Sequence, residues 1–310
     1  MRKSNRVLLT ALAAVSLLAA GGQLTATAGG TTDPNTGYPI NSYTDATGRI
    51  RVTVYSRTSE VGHVIRDHKV TPQDVDEVAV GGGATASNQG YGSLLTASQL
   101  FGNFAGWQAS SKDHLQGSPH RLTTYVIGMK IAGMSAAELR GNLKLQEDPS
   151  GVMSHPEAEA PSPGTESWVL LGGGFRADYH GAGNMATASF PATNHSWKSR
   201  SKDHIASDPA NLYSWGVYLR KHLRVGQVLQ DIPRPTGSAF TGQPSATANV
   251  PDGYVMTGGG AEVKWQGEGN LLWQLEPTAN GSRGFRSSAK DHLHNSAATL
   301  EAYVVGIRMA

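Results

Sequence analysis

The 310-residue chain contains no cysteine. Disulfides, thiol catalysis and zinc or iron–sulfur sites with cysteine ligands are therefore excluded. We expect no lipoprotein anchor either, because such an anchor is attached to a cysteine. A folded chain without disulfides must be held together by its hydrophobic core, and a chain of this length is long enough to bury one.

The chain also lacks a strong excess of charge. Its 26 Lys and Arg residues nearly balance 24 Asp and Glu residues, which leaves a net charge of +2. There is no basic run and no alternation of basic and aromatic residues of the kind that binds single strands, so we predict no nucleic-acid partner. Glycine and proline, 38 and 15 residues, stay below the level that marks disordered chains.

Long apolar runs are scarce as well. One of them, Val7 to Ala20, follows a basic start and precedes the small-residue pattern Ala26-Thr27-Ala28. These features predict a secretory signal peptide, residues 1–28, and hence a secreted protein. No later stretch approaches the roughly 20 apolar residues of a membrane helix, so we expect no membrane anchor. Residues 29–48 have no apolar periodicity and are predicted to form a flexible lead-in.

One block of residues occurs three times in the remaining chain. It consists of a glycine triplet, an aromatic residue, and then Lys-Asp-His, with the aromatic residue always six positions before the aspartate. The copies are Gly81–Gly83, Trp107 and Lys112-Asp113-His114; Gly172–Gly174, Trp197 and Lys202-Asp203-His204; and Gly258–Gly260, Phe285 and Lys290-Asp291-His292. Such spacing predicts a single domain, residues 49–310, with three repeats of about 88 residues in blocks 78–131, 168–224 and 254–310.

Each block is predicted to be all-β, with four short antiparallel strands separated by turn residues. The polar stretches 149–167 and 233–251 are predicted to be loops. Short helices are predicted only at Ser135–Glu138 and Thr71–Asp74. Segment 51–57 matches the last strand of each block, so we predict that this extra N-terminal strand shares a sheet with 300–307 and closes the structure. A closed prism, a propeller and three tandem sandwiches all fit the spacing.

The order of a glycine-rich strand, an aromatic strand, a polar turn and a closing strand, repeated three times, resembles β-prism proteins of the vitelline-membrane outer-layer type. The resemblance covers the arrangement of all three blocks, and it implies association with carbohydrate. The chain departs from that family in having no cysteine, and Lys-Asp-His is not a signature of the family. No site residue is therefore carried over from it.

The repeated residues are the candidate ligand-binding site. Asp can orient an imidazole, Lys can donate to hydroxyl groups, and an aromatic ring can stack on a sugar. The candidate residues are Trp107, Lys112, Asp113, His114, Trp197, Lys202, Asp203, His204, Phe285, Lys290, Asp291 and His292. A structural alternative stays open, in which Lys-Asp-His closes a hairpin and the aromatic residues belong to the core. The glycine triplets are interpreted as bulges or close strand crossings.

Signals for catalysis are weaker. No nucleophile elbow, His-Glu-x-x-His helix or calcium loop is present, and neither a metal nor a cofactor is predicted. If one asymmetric active site exists, the residues without counterparts in the other blocks, His68, His294 and Tyr179, are its candidates. We therefore predict a non-catalytic protein that binds extracellular or cell-wall glycan at several sites. A polysaccharide lyase or hydrolase, or a structural or protease-interacting cell-surface protein, are the alternatives, and the oligomeric state is left open.

Overall fold

The structure is a computed structural model that describes residues 33–87, 92–279 and 281–310. The predicted signal peptide and the first residues of the predicted lead-in lie outside these ranges. Within them the chain is all-β, as predicted, with one short helix among the described residues.

The elements follow one another along the chain in this order. The first part forms β1 (Tyr38–Thr44), β2 (Ile50–Thr58), β3 (Val64–Val70), β4 (Val78–Ala86), β5 (Leu94–Phe101), β6 (Gly106–Lys112) and β7 (Leu122–Ile131). The middle part forms α1 (Ala136–Gly141), β8 (Leu143–Met153), β9 (Glu157–Pro161), β10 (Trp168–Asp178), β11 (Asn184–Thr193), β12 (Ser196–Asp203) and β13 (Ala210–Arg220). The last part forms β14 (His222–Leu223), β15 (Gly226–Asp231), β16 (Thr236–Gly237), β17 (Ser245–Asn249), β18 (Val255–Lys264), β19 (Asn270–Pro277), β20 (Gly284–Asp291) and β21 (Thr299–Met309).

In the part of the chain that the structure describes, these strands build three antiparallel sheets. Their orders are β1-β2-β7-β4-β19-β20-β17, β3-β6-β5-β10-β13-β8 and β14-β15-β21-β18-β11-β12-β9. Each sheet thus combines strands from two different sequence blocks. Short pairings make the connections, β5 with β10, β11 with β18, and β4 with β19.

Aliphatic side chains from all three sheets meet in one large buried cluster. Val54, Leu95 and Val304, one from each sheet, are fully buried in it. Burial of this apolar surface is the main force that holds a chain without disulfides in its fold. Among the described residues, the one helix is fixed at its start by Ser135, whose hydroxyl accepts from the backbone N–H of Glu138, as the capping pattern predicted. No helix forms at Thr71–Asp74.

The glycine triplets lie where strands cross closely, and the interpretation as bulges and crossings is confirmed. The pairing register shifts beside each triplet, between Ala79 and Gly81 in the first. A Cβ on Gly173 would overlap the indole of Trp197, and one on Gly174 would overlap the backbone carbonyl of Ser98 in the neighbouring block. Any residue larger than glycine would push the strands apart there.

The prediction that 51–56 shares a sheet with 300–307 is wrong. Strand β2 pairs with β1 and β7, whereas β21 lies in another sheet, where β15 occupies the position beside it. The N-terminal strand is therefore no extra element. It corresponds to β8 and β15, which pair in the same way with β13 and β21.

Two segments that were predicted to lack regular structure contain strands. The stretch 149–167 includes the end of β8 and all of β9, and the stretch 233–251 includes β16 and β17. The predicted lead-in also contains a paired strand, β1. All of these strands lie at or near the edges of sheets, where polar side chains face solvent and the sequence shows little apolar alternation.

Candidate functional site

The three histidines of the Lys-Asp-His motifs lie together, each just beyond the end of a strand, β6, β12 or β20. His114, His204 and His292 are each 1% exposed. Their ring centroids are separated by 5.5 Å, 5.4 Å and 5.2 Å. Residues that are far apart in the sequence therefore form one compact cluster, which we call the histidine ring.

Hydrogen bonds pass around the histidine ring in a closed cycle. Nε2 of His114 donates to the backbone carbonyl of His204 at 2.6 Å, and Nε2 of His204 donates to that of His292 at 2.8 Å. Nε2 of His292 completes the cycle by donating to the carbonyl of His114 at 2.8 Å. Because a carbonyl oxygen can only accept, every Nε2 must carry a hydrogen. Each motif is thus tied to another motif of the chain.

The neighbouring lysines point into loops of other blocks. Nζ of Lys112 donates to the carbonyl of Ala182 at 2.5 Å and lies 4.5 Å from the ring centre of Tyr179. Lys202 makes the corresponding bond to the carbonyl of Glu268. Lys290 donates to the carbonyl of Gly92. Burial lowers the pKa of all three lysines, that of Lys290 to about 8.

The aspartates of the motifs are half-buried at or just beyond the ends of β6, β12 and β20. Asp113 accepts from the backbone N–H of Ser118 at 2.8 Å and contacts Nδ1 of the exposed His63 at 2.6 Å. Burial alone would raise the pKa of Asp113. The two partners lower it by more than burial raises it, so the net shift of the pKa is downward. Asp203 is placed in the same way, with Nε2 of the exposed His155 at 3.3 Å.

The repeated aromatic residues belong to the core. Trp107, Trp197 and Phe285 are at most 1% exposed, and each ring packs against the middle glycine of its own block's triplet. The indole N–H groups of the tryptophans donate to serine hydroxyls at 2.9 Å. These rings, and the buried lysines and histidines, show no free face to a ligand in this structure. The geometry fits the structural alternative, in which the aromatic residues belong to the core and Lys-Asp-His fixes the end of a hairpin. A ligand-binding role for the motifs stays a prediction.

The residues without counterparts are dispersed over the surface. Nε2 of His68 lies 3.0 Å from Nη1 of Arg57, and Nδ1 lies 2.9 Å from the hydroxyl of Thr124. Burial, together with the charge of Arg57, lowers the pKa of His68 to about 4. His294 is exposed in a turn, and Tyr179 lies beneath Arg66 at 4.9 Å. The described residues contain no cluster of His, Asp and Glu suited to a metal ion.

A groove that the sequence analysis did not single out lies beside β10 and β15. Its volume is about 300 Å³. The side chains that line it are partly aromatic and partly polar. They belong to Thr165, Trp168, Val169, His195, Lys221, Gln227, Val228, Leu229, Gln230 and Tyr254. We call it the Trp168–Tyr254 groove.

Two features make this groove suitable for a ligand. Trp168 and Tyr254 are both partly exposed, and guanidinium groups, those of Arg220 and Arg308, lie 4.8 Å and 5.3 Å from the centres of their rings. Nδ1 of His195 is buried and has no hydrogen-bond partner in the described structure. A buried polar atom without a partner is uncommon in native proteins, and a ligand group that reached this nitrogen would satisfy it.

A signal for this groove is present in the sequence. Trp168 and Tyr254 each stand four residues before a glycine triplet, and Glu77 has the same position in the first block. Two blocks therefore carry an aromatic residue where the other has a carboxylate. In the sequence analysis, positions 168 and 254 serve only as the first residues of the second and third blocks.

A second, more polar cleft of about 190 Å³ lies between β3, β5 and the end of β10. Arg66 and Arg176 line it together with Asp67, Asp178 and Tyr179. Nε of Arg176 is 3.0 Å from a carboxylate oxygen of Asp178, so part of its charge is already compensated. The cleft has no aliphatic wall and offers less contact area than the groove.

Comparison with known proteins adds no assignment to this geometry. No protein-family model matches the chain, and no curated protein matches it significantly. Within the described residues, the structure contains no helix with the length and apolar character needed to cross a membrane.

Proposed function

We propose that the chain is a secreted, non-catalytic recognition protein that binds an extracellular or cell-wall glycan in the Trp168–Tyr254 groove. The observation that carries the proposal is the composition of the groove, two partly exposed aromatic rings beside amide, ammonium and imidazole groups. The apolar C–H faces of a pyranose pack on aromatic rings, while its hydroxyls require donors and acceptors.

The polar side chains of the groove suit hydroxyl recognition. Nε2 of Gln230 is fixed by the backbone carbonyl of Leu170 at 2.7 Å, which holds its amide in place. Gln227 and Lys221 add further donors. Nδ1 of His195 has no hydrogen-bond partner in the described structure, so bonding to a ligand would break no existing hydrogen bond of this atom. A pre-organised polar wall reduces the ordering cost of binding.

The repeated motifs are assigned to the scaffold in this proposal. We propose that the three sheets form a closed, pseudo-threefold prism and that the histidine ring lies on its axis. The cyclic hydrogen bonds and the similar short pairings between blocks support this arrangement. A single groove then binds one glycan, whereas sites at the three motifs would bind three.

Calorimetric titration with chito-, cello- and peptidoglycan-derived oligosaccharides tests the proposal. We expect binding of at least one of these glycans with one site per chain, and Trp168→Ala should reduce the affinity at least about tenfold. Tyr38→Ala, which removes an aromatic ring that is 77% exposed and does not line the groove, is the matched control. A stoichiometry of three glycans per chain would show that the binding sites are the three Lys-Asp-His motifs and not the groove. Absence of binding to every glycan would overturn the proposal.

The enzyme alternative is tested in the same samples. Tyr179 beside Arg66 is the arrangement closest to a lyase base, but burial raises the pKa of Tyr179 and so disfavours the phenolate. Release of reducing or unsaturated ends from the bound glycan would show turnover. We expect none.

A further inference from the structure

The side chains that line the Trp168–Tyr254 groove carry charge of one sign. Lys221 belongs to the lining, whereas no Asp or Glu of the described residues does. Glu166 and Asp252 stand two residues before the two aromatic residues in the sequence, but neither lines the groove. A ligand in the groove therefore meets a positive charge and no carboxylate on the groove wall.

The cations next to the groove are not neutralised by ion pairs. Within the described residues, the side chains of Lys221 and Arg220 have no carboxylate within 4.0 Å and make no hydrogen bond. Other cations of the chain differ in this respect, since Lys130 and Lys198 each contact two carboxylates. An uncompensated positive charge beside an open groove attracts an anionic ligand.

Both aromatic rings of the groove carry a guanidinium group. That of Arg220 lies 4.8 Å from the ring centre of Trp168, and that of Arg308 lies 5.3 Å from the ring centre of Tyr254. A guanidinium that packs on a ring can still donate from the N–H groups at its edge, and these match the two oxygens of a carboxylate. Arg308 uses Nη1 for the carbonyl of Met309 at 3.4 Å. The positive potential therefore extends along the aromatic part of the groove.

The backbone of Lys221 is fixed between two walls of the groove. Its N–H donates to the carbonyl of Ser167, next to the start of β10, at 2.8 Å. Its carbonyl accepts from the N–H of Val228, in β15, at 2.8 Å. Because the lysine is already held in position, an anion that binds its ammonium group has only the side chain to order.

We propose that the glycan bound in the groove is acidic, with a uronic-acid residue whose carboxylate pairs with Lys221 and whose ring packs on the aromatic residues. Arg220 and Arg308 add to the positive potential. This inference rests on the proposed glycan function and names the class of glycan. An acidic peptide would also supply carboxylates, but it lacks the saturated rings whose C–H faces pack on Trp168 and Tyr254.

Calorimetric titration of the full chain with tetragalacturonate and with its methyl ester tests the inference. The two oligosaccharides have the same rings and linkages and differ in charge. We expect the acid to bind at least about tenfold more tightly than the ester. The affinity for the acid should fall at least about threefold when salt is raised from about 50 mM to about 300 mM, while that for the ester should stay constant.

A lysine variant assigns the charge to the groove. Lys221→Gln keeps an amide donor and removes the charge, so it should lower the affinity for tetragalacturonate about 3- to 10-fold and leave that for the ester unchanged. Lys144→Gln is the matched control, because Lys144 is an exposed lysine of β8 that does not line the groove. It should change neither affinity.

The outcomes separate this inference from the glycan function itself. Equal affinities for acid and ester, or no binding of the acid by a chain that binds a neutral glycan, would overturn the inference and leave the proposed function intact. Absence of binding to acidic and neutral glycans alike would overturn both. Unchanged binding of tetragalacturonate by Lys221→Gln would show that the acid binds elsewhere, and equally tight binding of polyglutamate would show that the partner is an acidic peptide.

Discussion

The imidazole of His114 donates through Nε2 to the backbone carbonyl of His204, and 90 residues of chain separate the two. The same bond is made by His204 to His292 and by His292 to His114, so the three motifs support one another. The three Lys-Asp-His motifs are thereby linked through buried hydrogen bonds rather than through covalent cross-links. In a chain without cysteine, such contacts take part of the role that disulfides have in many secreted proteins.

Replacement of His204 by Gln should destabilise the protein. The change removes a buried ring whose Nε2 donates to the carbonyl of His292 at 2.8 Å; burial lowers the pKa of His204, so the neutral ring has this one N–H to donate. Because a buried carbonyl left without its donor costs about 1–3 kcal/mol, we expect a loss of about 1–3 kcal/mol. Urea unfolding measures it.

His294→Gln is the control for this variant, since His294 is exposed two residues beyond the motif. It should change the free energy of unfolding by less than about 0.5 kcal/mol. Equal effects of the two substitutions would show that the histidine ring contributes nothing specific.

Gly173→Ala should be among the most damaging small changes. Its Cβ would overlap the indole of Trp197 and the backbone carbonyl of Trp215, and neither can move without opening a strand pair. We expect a loss of at least about 2 kcal/mol or failure to fold. Gly141→Ala, at the end of α1 with no atom near the new Cβ, should be neutral or slightly stabilising. A melting temperature for Gly173→Ala within a degree of the unmodified protein would contradict the close crossing.

His68 should make stability depend on pH in the acid range. Its folded pKa of about 4 lies below the unfolded value of 6.5, because burial and Arg57 oppose the charge. Between these values the unfolded chain binds a proton that the folded chain does not. Stability is therefore fully present above about pH 6.5 and is lost as the pH falls towards 4, by at most about 1.4 kcal/mol per pH unit.

His68→Gln should reduce this loss, while His222→Gln, which alters an exposed histidine, should leave it unchanged. Free energies of unfolding from urea titrations at pH 7, 6 and 5 give the comparison. Parallel pH profiles for the unmodified chain and His68→Gln would rule out His68 as the source.

The sequence predicted the strands that have two buried faces and missed those at the edges. The strand with the first glycine triplet, β4, is buried along nearly its whole length, and its Val-Ala-Val start reveals it. Strand β8 shows the opposite pattern, because most of its residues are exposed and it contains Pro149. Its polar composition is typical of a loop, and it is a strand because β13 offers it a partner.

The sequence also identified the Lys-Asp-His motifs without revealing what they contact. Lys112 donates to the carbonyls of Gly181 and Ala182, which lie 69 and 70 residues further along the chain, and such contacts follow from the strand order of the sheets. The spacing before the glycine triplets marks the two aromatic residues of the groove, but it does not show that they share a cavity. Trp168 begins β10 and Tyr254 precedes β18, two strands of different sheets, so only the packing of the sheets brings both residues to one groove.

His195 gives the sharpest test of the groove, because replacing its side chain should affect glycan binding and the stability of the fold in opposite directions. Its buried Nδ1 has no partner in the described structure, whereas its backbone carbonyl accepts from the N–H of Ser162 at 2.7 Å. His195→Leu removes the unpaired nitrogen and keeps the backbone bond, so the melting temperature should stay the same or rise. If a glycan hydroxyl bonds to Nδ1, the same variant should bind about 3- to 10-fold more weakly by calorimetry, as expected for one hydrogen bond. His222→Leu, outside the groove, should leave the affinity unchanged. A His195→Leu protein that is destabilised and binds glycan normally would mean that the ring supports the fold and does not contact the ligand.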